Sequence, residues 1–275
     1  LIEEKFRDWV NLLVDPTNKS KLSANANLTF LKSEIPNISN IAYPINDGII
    51  DLLPEEFDSV SLKYDGYSPK YDPWIRGSNF FLKLFKRVAW GIKDEFDYTN
   101  KVMASIPDNF QGILVDVPVG TGIFTVDKYK RLTNAKIFCL DYSLEMLKLA
   151  KRRFETAGIE NVIFLRGNVC NLPFDDKTVD LLVCMSGLEV FIEKDSAIYE
   201  MSRIVKISGK FVGCTYVKGV LKIKDYFSRL SVKRTGLVTP PFYTEAEWKK
   251  KIEQYFQIKH HSVTKSIWNF DAYKP

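Results

Sequence analysis

Residues 115–122 read Val115-Asp116-Val117-Pro118-Val119-Gly120-Thr121-Gly122, an apolar run that ends in an acid and a glycine-bearing loop ahead of an apparent helix start. Glycine lets a backbone approach a ligand closely. A carboxylate at this edge of a sheet would repel a dinucleotide pyrophosphate, so Asp116 favours a cationic ligand. The next apolar run ends at Asp141, nineteen residues after Gly122, the spacing at which an acid accepts hydrogen bonds from ribose hydroxyls. A nicotinamide-binding loop would need a first glycine where Pro118 stands and a third small residue at Thr125.

Outward from this loop, short β-rich runs alternate with amphipathic stretches. Strands are expected at Ile113–Val117, Lys136–Asp141, Val162–Arg166, Val179–Cys184, Lys210–Tyr216, Gln257–Val263 and Ile267–Tyr273. Ser143 is placed to cap a helix in which Leu147, Ala150 and Phe154 share a face, ending at Gly158. A second helix starts near Asp195 with Ile198, Met201 and Val205 inward. Thr244 with Glu247 makes a capping box before Trp248, Ile252 and Phe256. This alternation predicts an α/β fold: a seven-stranded, mostly parallel, Rossmann-like sheet covered on both faces, with ligands beyond the strand C-termini.

The ordered motifs resemble the class I S-adenosylmethionine-dependent methyltransferases over about residues 60–275. Asp116, Gly120 and Gly122 match the family's acid and last two loop glycines, and Pro118 replaces its first glycine. The stretch Asn171-Leu172-Pro173-Phe174 followed by Val179-Asp180 looks like its L-P-F…F-D segment. Glu200 to Lys206, then Gly209-Lys210, looks like its E-x-x-R-V-L-K-P-G-G turn. The resemblance implies S-adenosylmethionine as cofactor and no metal. Asp116, Pro118, Gly120 and Gly122 would then line its methionine end, and Asp141 with Tyr142 its ribose. Asn168, which stands where the family has an acid, would accept from the adenine amino group while Val169 supplies a backbone N–H.

Residues 1–58 hold 5 Lys+Arg against 10 Asp+Glu, a sum of −5, so the remainder carries +10 of the net +5. Apolar runs broken by Pro16, Pro36, Pro44 and the turn Asn46-Asp47-Gly48 predict a short helix and a small antiparallel β unit there. Leu12-Leu13-Val14-Asp15-Pro16-Thr17-Asn18 and Tyr43-Pro44-Ile45-Asn46-Asp47-Gly48 look like a zinc-ribbon module of methyltransferase partner subunits, with Asp15 and Asn18 in place of the first cysteine pair and no second pair. A relic ribbon held by apolar residues, without metal, is the expectation. Residues 59–108 are rich in aromatic side chains and predict a helical cap and linker, ahead of a methyltransferase domain over 109–275 with a lid at 217–243.

Cys139, Cys170, Cys184 and Cys214 form no C-x-x-C pair, and three of them sit in apolar runs, which suits a reducing cytoplasm. The apolar stretches are far short of a bilayer span, and the opening LIEEKFRDWV has acids where an export signal has a basic region.

Methyl transfer from a sulfonium is an in-line displacement that positioning can drive, so a base is optional. Glu189, after the fourth strand, is the candidate acid or base, with a hydrogen-bonded structural carboxylate as the competing reading. Tyr64 is a candidate for the cofactor, and Tyr67, Tyr71, Trp74, Ser186 and Phe242 for the substrate side; the four aromatic residues 64–74 also fit plain helix core. His260 and His261 read as structural or exposed. Three functions stand open: a small-molecule methyltransferase, in specialised or quinone-like metabolism; an RNA methyltransferase, suggested by the ribbon-like module and by nine basic residues against one acid over 201–235; and a cofactor-binding protein without turnover. The acidic, ligand-poor N-terminal stretch disfavours RNA. Oligomeric state and the acceptor atom are not encoded in any motif.

Overall fold

A computed structural model describes residues 7–33, 42–53, 96–220 and 239–275. The chain runs α1 (Arg7–Val10), β1 (Leu22–Ala24), β2 (Phe30–Ser33), β3 (Ala42–Asn46), β4 (Ile49–Asp51), α2 (Phe96–Ala104), β5 (Gly112–Asp116), α3 (Val126–Tyr129), β6 (Ala135–Asp141), α4 (Leu144–Thr156), β7 (Val162–Arg166), β8 (Val179–Met185), α5 (Lys194–Ile204), β9 (Val205–Tyr216), α6 (Glu245–Ile252), β10 (Gln257–Thr264) and β11 (Ile267–Tyr273). The expected aromatic candidates Tyr64, Tyr67, Tyr71 and Trp74, and residues 221–238 of the expected lid, lie outside the described residues.

Local chemistry sets the helix ends. Ser143 Oγ accepts the Met146 N–H at 3.2 Å and starts α4, while Thr244 and Glu247 exchange side-chain-to-backbone hydrogen bonds and start α6. Helix α5 stops at Ile204, because Val205 turns to extended backbone and opens β9 five residues before the expected Lys210. The inward spacing of Ile198, Met201 and Val205 therefore spans a helix and the first residue of a strand.

Among the described residues the sheet has eleven strands in the order β1-β2-β3-β4-β7-β6-β5-β8-β9-β11-β10, not seven. Strands β4 to β9 run parallel, with the antiparallel pair β11 and β10 closing one end. The chain builds outward from β5 through β6 to β7, then returns to place β8 on the other side of β5. Strand order thus reverses at β5, and the crevice beyond its C-terminus is where ligands of such sheets bind. One core cluster, around Val115, Phe138, Leu182, Trp248 and Trp268, covers one face, and a second, around Leu114, Cys139, Phe154, Val183 and Val212, covers the other.

The additional strands come from the N-terminal stretch. Strands β1 to β4 form an antiparallel meander, tightened between β3 and β4 by Asp47 and Gly48, whose φ values of 50° and 73° suit a two-residue hairpin turn. Strand β4 then pairs parallel with β7, Asp51 opposite Arg166, so the meander extends the main sheet. Asp51 and Arg166 form a mostly buried ion pair at 2.9 Å. The Val14 N–H donates to the Pro173 carbonyl at 3.0 Å, and the Lys19 ammonium to the Leu172 carbonyl at 3.2 Å. Asp15 and Asn18, at the ribbon-like cysteine positions, close turns instead: Asp15 Oδ1 accepts from the Thr17 N–H and hydroxyl, and Asn18 Oδ1 from the Ser20 N–H.

Removing one partner of a buried pair leaves the other charge uncompensated. Asp51→Ala is expected to cost roughly 3 kcal/mol, the low end for such pairs, read as a lower urea midpoint. An unchanged midpoint would show that the parallel seam does not depend on the pair.

Candidate functional site

The site is built where β5 and β6 end. Asp141, the last residue of β6, accepts the Gly120 N–H on Oδ2 at 2.8 Å and the Ser143 N–H on Oδ1 at 2.9 Å. One carboxylate therefore ties the glycine loop to the start of α4. The loop is also fixed by the Val119 N–H on the Leu140 carbonyl at 3.0 Å, so Pro118 does not prevent a tight return. Two glycines are required by contact: a Cβ on Gly122 would come 2.4 Å from the Phe154 ring, and one on Gly187 would come 2.2 Å from the ring of Pro118. Pro118 thus packs the glycine loop against the loop that follows β8.

Asp116 lies under this loop with none of its surface exposed. Burial pushes its carboxyl up to about 8; the neighbouring hydroxyls of Tyr129 and Thr125 temper the rise, and the charge of Asp141 adds to it. Neither hydroxyl reaches hydrogen-bond geometry, so among the described residues both carboxylate oxygens and both hydroxyls are unpartnered. A buried acid in this condition fits a cationic group arriving above it.

On the far side of Asp141, the Tyr142 carbonyl accepts from Arg166 Nε at 3.3 Å. The half-buried Asn168 spends Oδ1 on the Cys170 N–H at 2.9 Å, which orients its amide and starts the short 3-10 turn Val169–Asn171. That carbonyl oxygen keeps a second lone pair for a further donor. The next residues are held by α5. Glu200 accepts the Leu172 N–H at 3.0 Å, while Arg203 pairs with Glu200 and donates to the carbonyls of Leu172 and Phe174 at 3.1 and 2.8 Å. The E-x-x-R and L-P-F segments are two halves of one contact.

Beyond β8, Ser186 adopts a φ of 54° and its hydroxyl meets Cys214 Sγ at 3.6 Å. Glu189 is buried, and its carboxylate accepts the Thr215 hydroxyl at 2.8 Å. Burial pushes that carboxyl up to about 6, opposed by the hydrogen bonds from backbone and Thr215 and by the charge of Lys194. Thr215 and Cys214 alternate across the sheet, so Glu189 serves the face opposite Ser186. The hydrogen-bonded structural carboxylate is the reading this geometry fits. Lys194 donates to the carbonyls of Phe191 and Thr239 at 2.7 and 2.9 Å, and Lys218 N–H reaches the Tyr243 carbonyl at 2.9 Å. Phe242 is half-buried beside that closure, His260 is exposed, and His261 pairs with Glu245 at 3.0 Å. Among the described residues no group of three or more His, Cys, Asp or Glu is placed to hold a metal ion.

Residues 114–209 match a methyltransferase domain family. Over 151 residues the chain is 32% identical to a demethylmenaquinone methyltransferase of Lactiplantibacillus plantarum, covering 54% of this chain and 59% of that one. It is 28% identical over 138 residues to the demethylmenaquinone methyltransferase of Thermobifida fusca, covering 46% and 58%. The chain thus spans somewhat more than half the length of these curated relatives. Its fold is shared with a SAM-dependent methyltransferase from Aquifex aeolicus, with a TM-score of 0.52 at 18% identity over 70% of this chain and 93% of that one.

Several residues that shape this site carried no sequence signal. Arg153 donates to the Thr121 carbonyl inside the glycine loop, and Arg166 reaches Tyr142, yet both read as ordinary charges at the ends of elements.

The buried Asp116 carries a pH signature. Its carboxyl, at about 8 folded against 3.8 ordinarily, holds a proton in the folded protein that the unfolded chain has lost. Its contribution is therefore complete below the ordinary value and lost as pH rises through about 8. Relative to Asp116→Asn, the wild-type melting temperature should fall steadily from pH 5 to pH 8. Parallel curves for the two proteins would contradict the protonated state.

Proposed function

We propose that this chain is an S-adenosylmethionine-dependent methyltransferase acting on a small, oxygen-bearing ring of the demethylated quinol type. The observation that carries the proposal is the Asp141 carboxylate, which ties the glycine loop to α4 at the strand-order reversal, above a buried acid with two unpartnered oxygens. The demethylmenaquinone methyltransferases among the relatives support the acceptor class.

In this reading Gly120 and Gly122 face the methionine end, Asp116 faces its positive charge, Asp141 and Tyr142 the ribose, and Asn168 with Val169 the adenine. Bound S-adenosylmethionine supplies an electrophilic methyl on a sulfonium. The chain's part is to hold donor and acceptor in line and to keep water out. Ser186 and Phe242 lie on the acceptor side. Glu189 positions Thr215 and, through its backbone carbonyl, the Thr239 N–H at 2.9 Å. Residues 1–58 act as a metal-free relic ribbon that braces the ribose side, with 59–108 as a cap.

Asp141→Ala removes both loop hydrogen bonds and the ribose acceptor. Calorimetric titration with S-adenosylhomocysteine should show at least about tenfold weaker binding, the scale of a lost charge-assisted hydrogen bond; unchanged affinity rejects the cofactor assignment. For the acceptor, the wild-type protein given methyl-labelled S-adenosylmethionine and a reduced, short-tailed 1,4-naphthoquinone lacking its ring methyl should label the solvent-extracted quinol. Label appearing in RNA instead, with binding that weakens steeply with salt, would overturn the small-molecule reading.

A further inference from the structure

Strand β11 carries an asparagine where its neighbours are Ile267, Trp268 and Phe270. Asn269 is 5% exposed, and among the described residues neither its Oδ1 nor its Nδ2 has a hydrogen-bond partner. Buried carboxamides are costly in that state, and native proteins pair nearly all of them. The unpaired atoms of Asp116, Thr125 and Tyr129 at least face one another. Asn269 stands elsewhere.

Sheet register places it. Asn269 is opposite Cys214 on β9, and Cys214 is opposite Met185, the last residue of β8. These three form one row across the sheet, at the C-terminal ends of the parallel strands, one residue before Ser186. Alternation puts the row on the face that holds Ile267, Val183 and Val212, the face over which α2 packs against β9 and β11. Glu189, Thr215 and Trp268 belong to the other face. The cofactor residues sit over β5 and β6, so the row lies on the opposite side of the strand-order reversal, where the second reactant must be.

We propose that the Asn269 carboxamide is a binding group for the methyl acceptor, pairing with a ring hydroxyl, a proposal that rests on the methyltransferase reading above. A hydroxyl both donates and accepts, and a carboxamide offers the matching acceptor and donor. The thioether of Met185 and the thiol of Cys214 beside it give a soft, apolar floor that suits a flat aromatic ring. Ser186 adds a hydroxyl at the rim of the same row. Asn269 is thus a specificity residue: it selects oxygen-bearing rings over plain hydrocarbon ones, because an acceptor without the hydroxyl leaves the amide unpaired.

The test uses Asn269→Leu, with Asn269→Val as a second variant should the larger side chain fail to fold. An amide kept for a ligand is a liability in the free protein, so an apolar replacement should hold or raise the melting temperature, by about 2 °C or more. Affinity for S-adenosylhomocysteine should stay within about twofold, while KM for the reduced naphthoquinone rises about tenfold or more, the scale of one lost hydrogen bond in a buried site. A melting temperature that falls in both variants shows that the amide already has a partner in the free protein and overturns the proposal, as does an unchanged KM. If the wild-type protein does not methylate the quinol, the acceptor class proposed above fails on that arm alone, and the melting temperature still decides the role of the amide.

Discussion

Two backbone N–H groups on one carboxylate hold the site together. Asp141 has no need of a ligand to be ordered, because Gly120 and Ser143 already bind its two oxygens. In a parallel sheet the loops of successive strands emerge at the same edge without hydrogen bonds to each other, and something must join them. Here an acid at the last position of β6 does so, and it arrives with lone pairs to spare. The same bonds also set where Gly122 and Phe154 meet and where Pro118 rests against Gly187. The loop surface at this edge is therefore assembled largely from main chain and is held by hydrogen bonds the protein makes within itself.

A second junction supports the segment that follows β7. Glu200 and Arg203, one turn apart on α5, hold both ends of Leu172-Pro173-Phe174, and the N-terminal strands fasten to the same three residues through Val14 and Lys19. Lys19 also stands 3.5 Å from Glu200, beside the Arg203 pair. The acidic N-terminal stretch and the basic remainder are thus not two charged bodies at arm's length. They share a sheet, and Asp51 with Arg166 carries the opposition of charge across the seam.

What the sequence made legible is what depends on near neighbours. Ser143 and the Thr244–Glu247 box are written within four residues of the bonds they make, and both helices start there. The end of β6 at Asp141 was legible because an acid closes an apolar run there, but its bonds to the Gly120 and Ser143 N–H groups were not, since spacing does not say which donors a carboxylate meets. The β4–β7 pairing was not, since Ile49-Ile50-Asp51 reads equally well as the end of an isolated hairpin. Val205 misled because it satisfies both the helical spacing before it and the strand after it. Asn269 was silent for another reason: one polar residue among aromatic ones looks like the outward side of a closing strand, and only the register shows that it faces inward.

The parallel seam also has a history in time. Asp51 meets a residue 115 positions later in the chain. Ribosomal synthesis delivers β1 to β4 first, but their docking strand emerges only after β5 and β6 have been made. Long-range pairing of this kind is slow, because the intervening loop must close before any contact rewards it. The nascent N-terminal meander therefore waits with an open edge and an unburied apolar side. During that interval it is the part of the chain with most to gain from a chaperone.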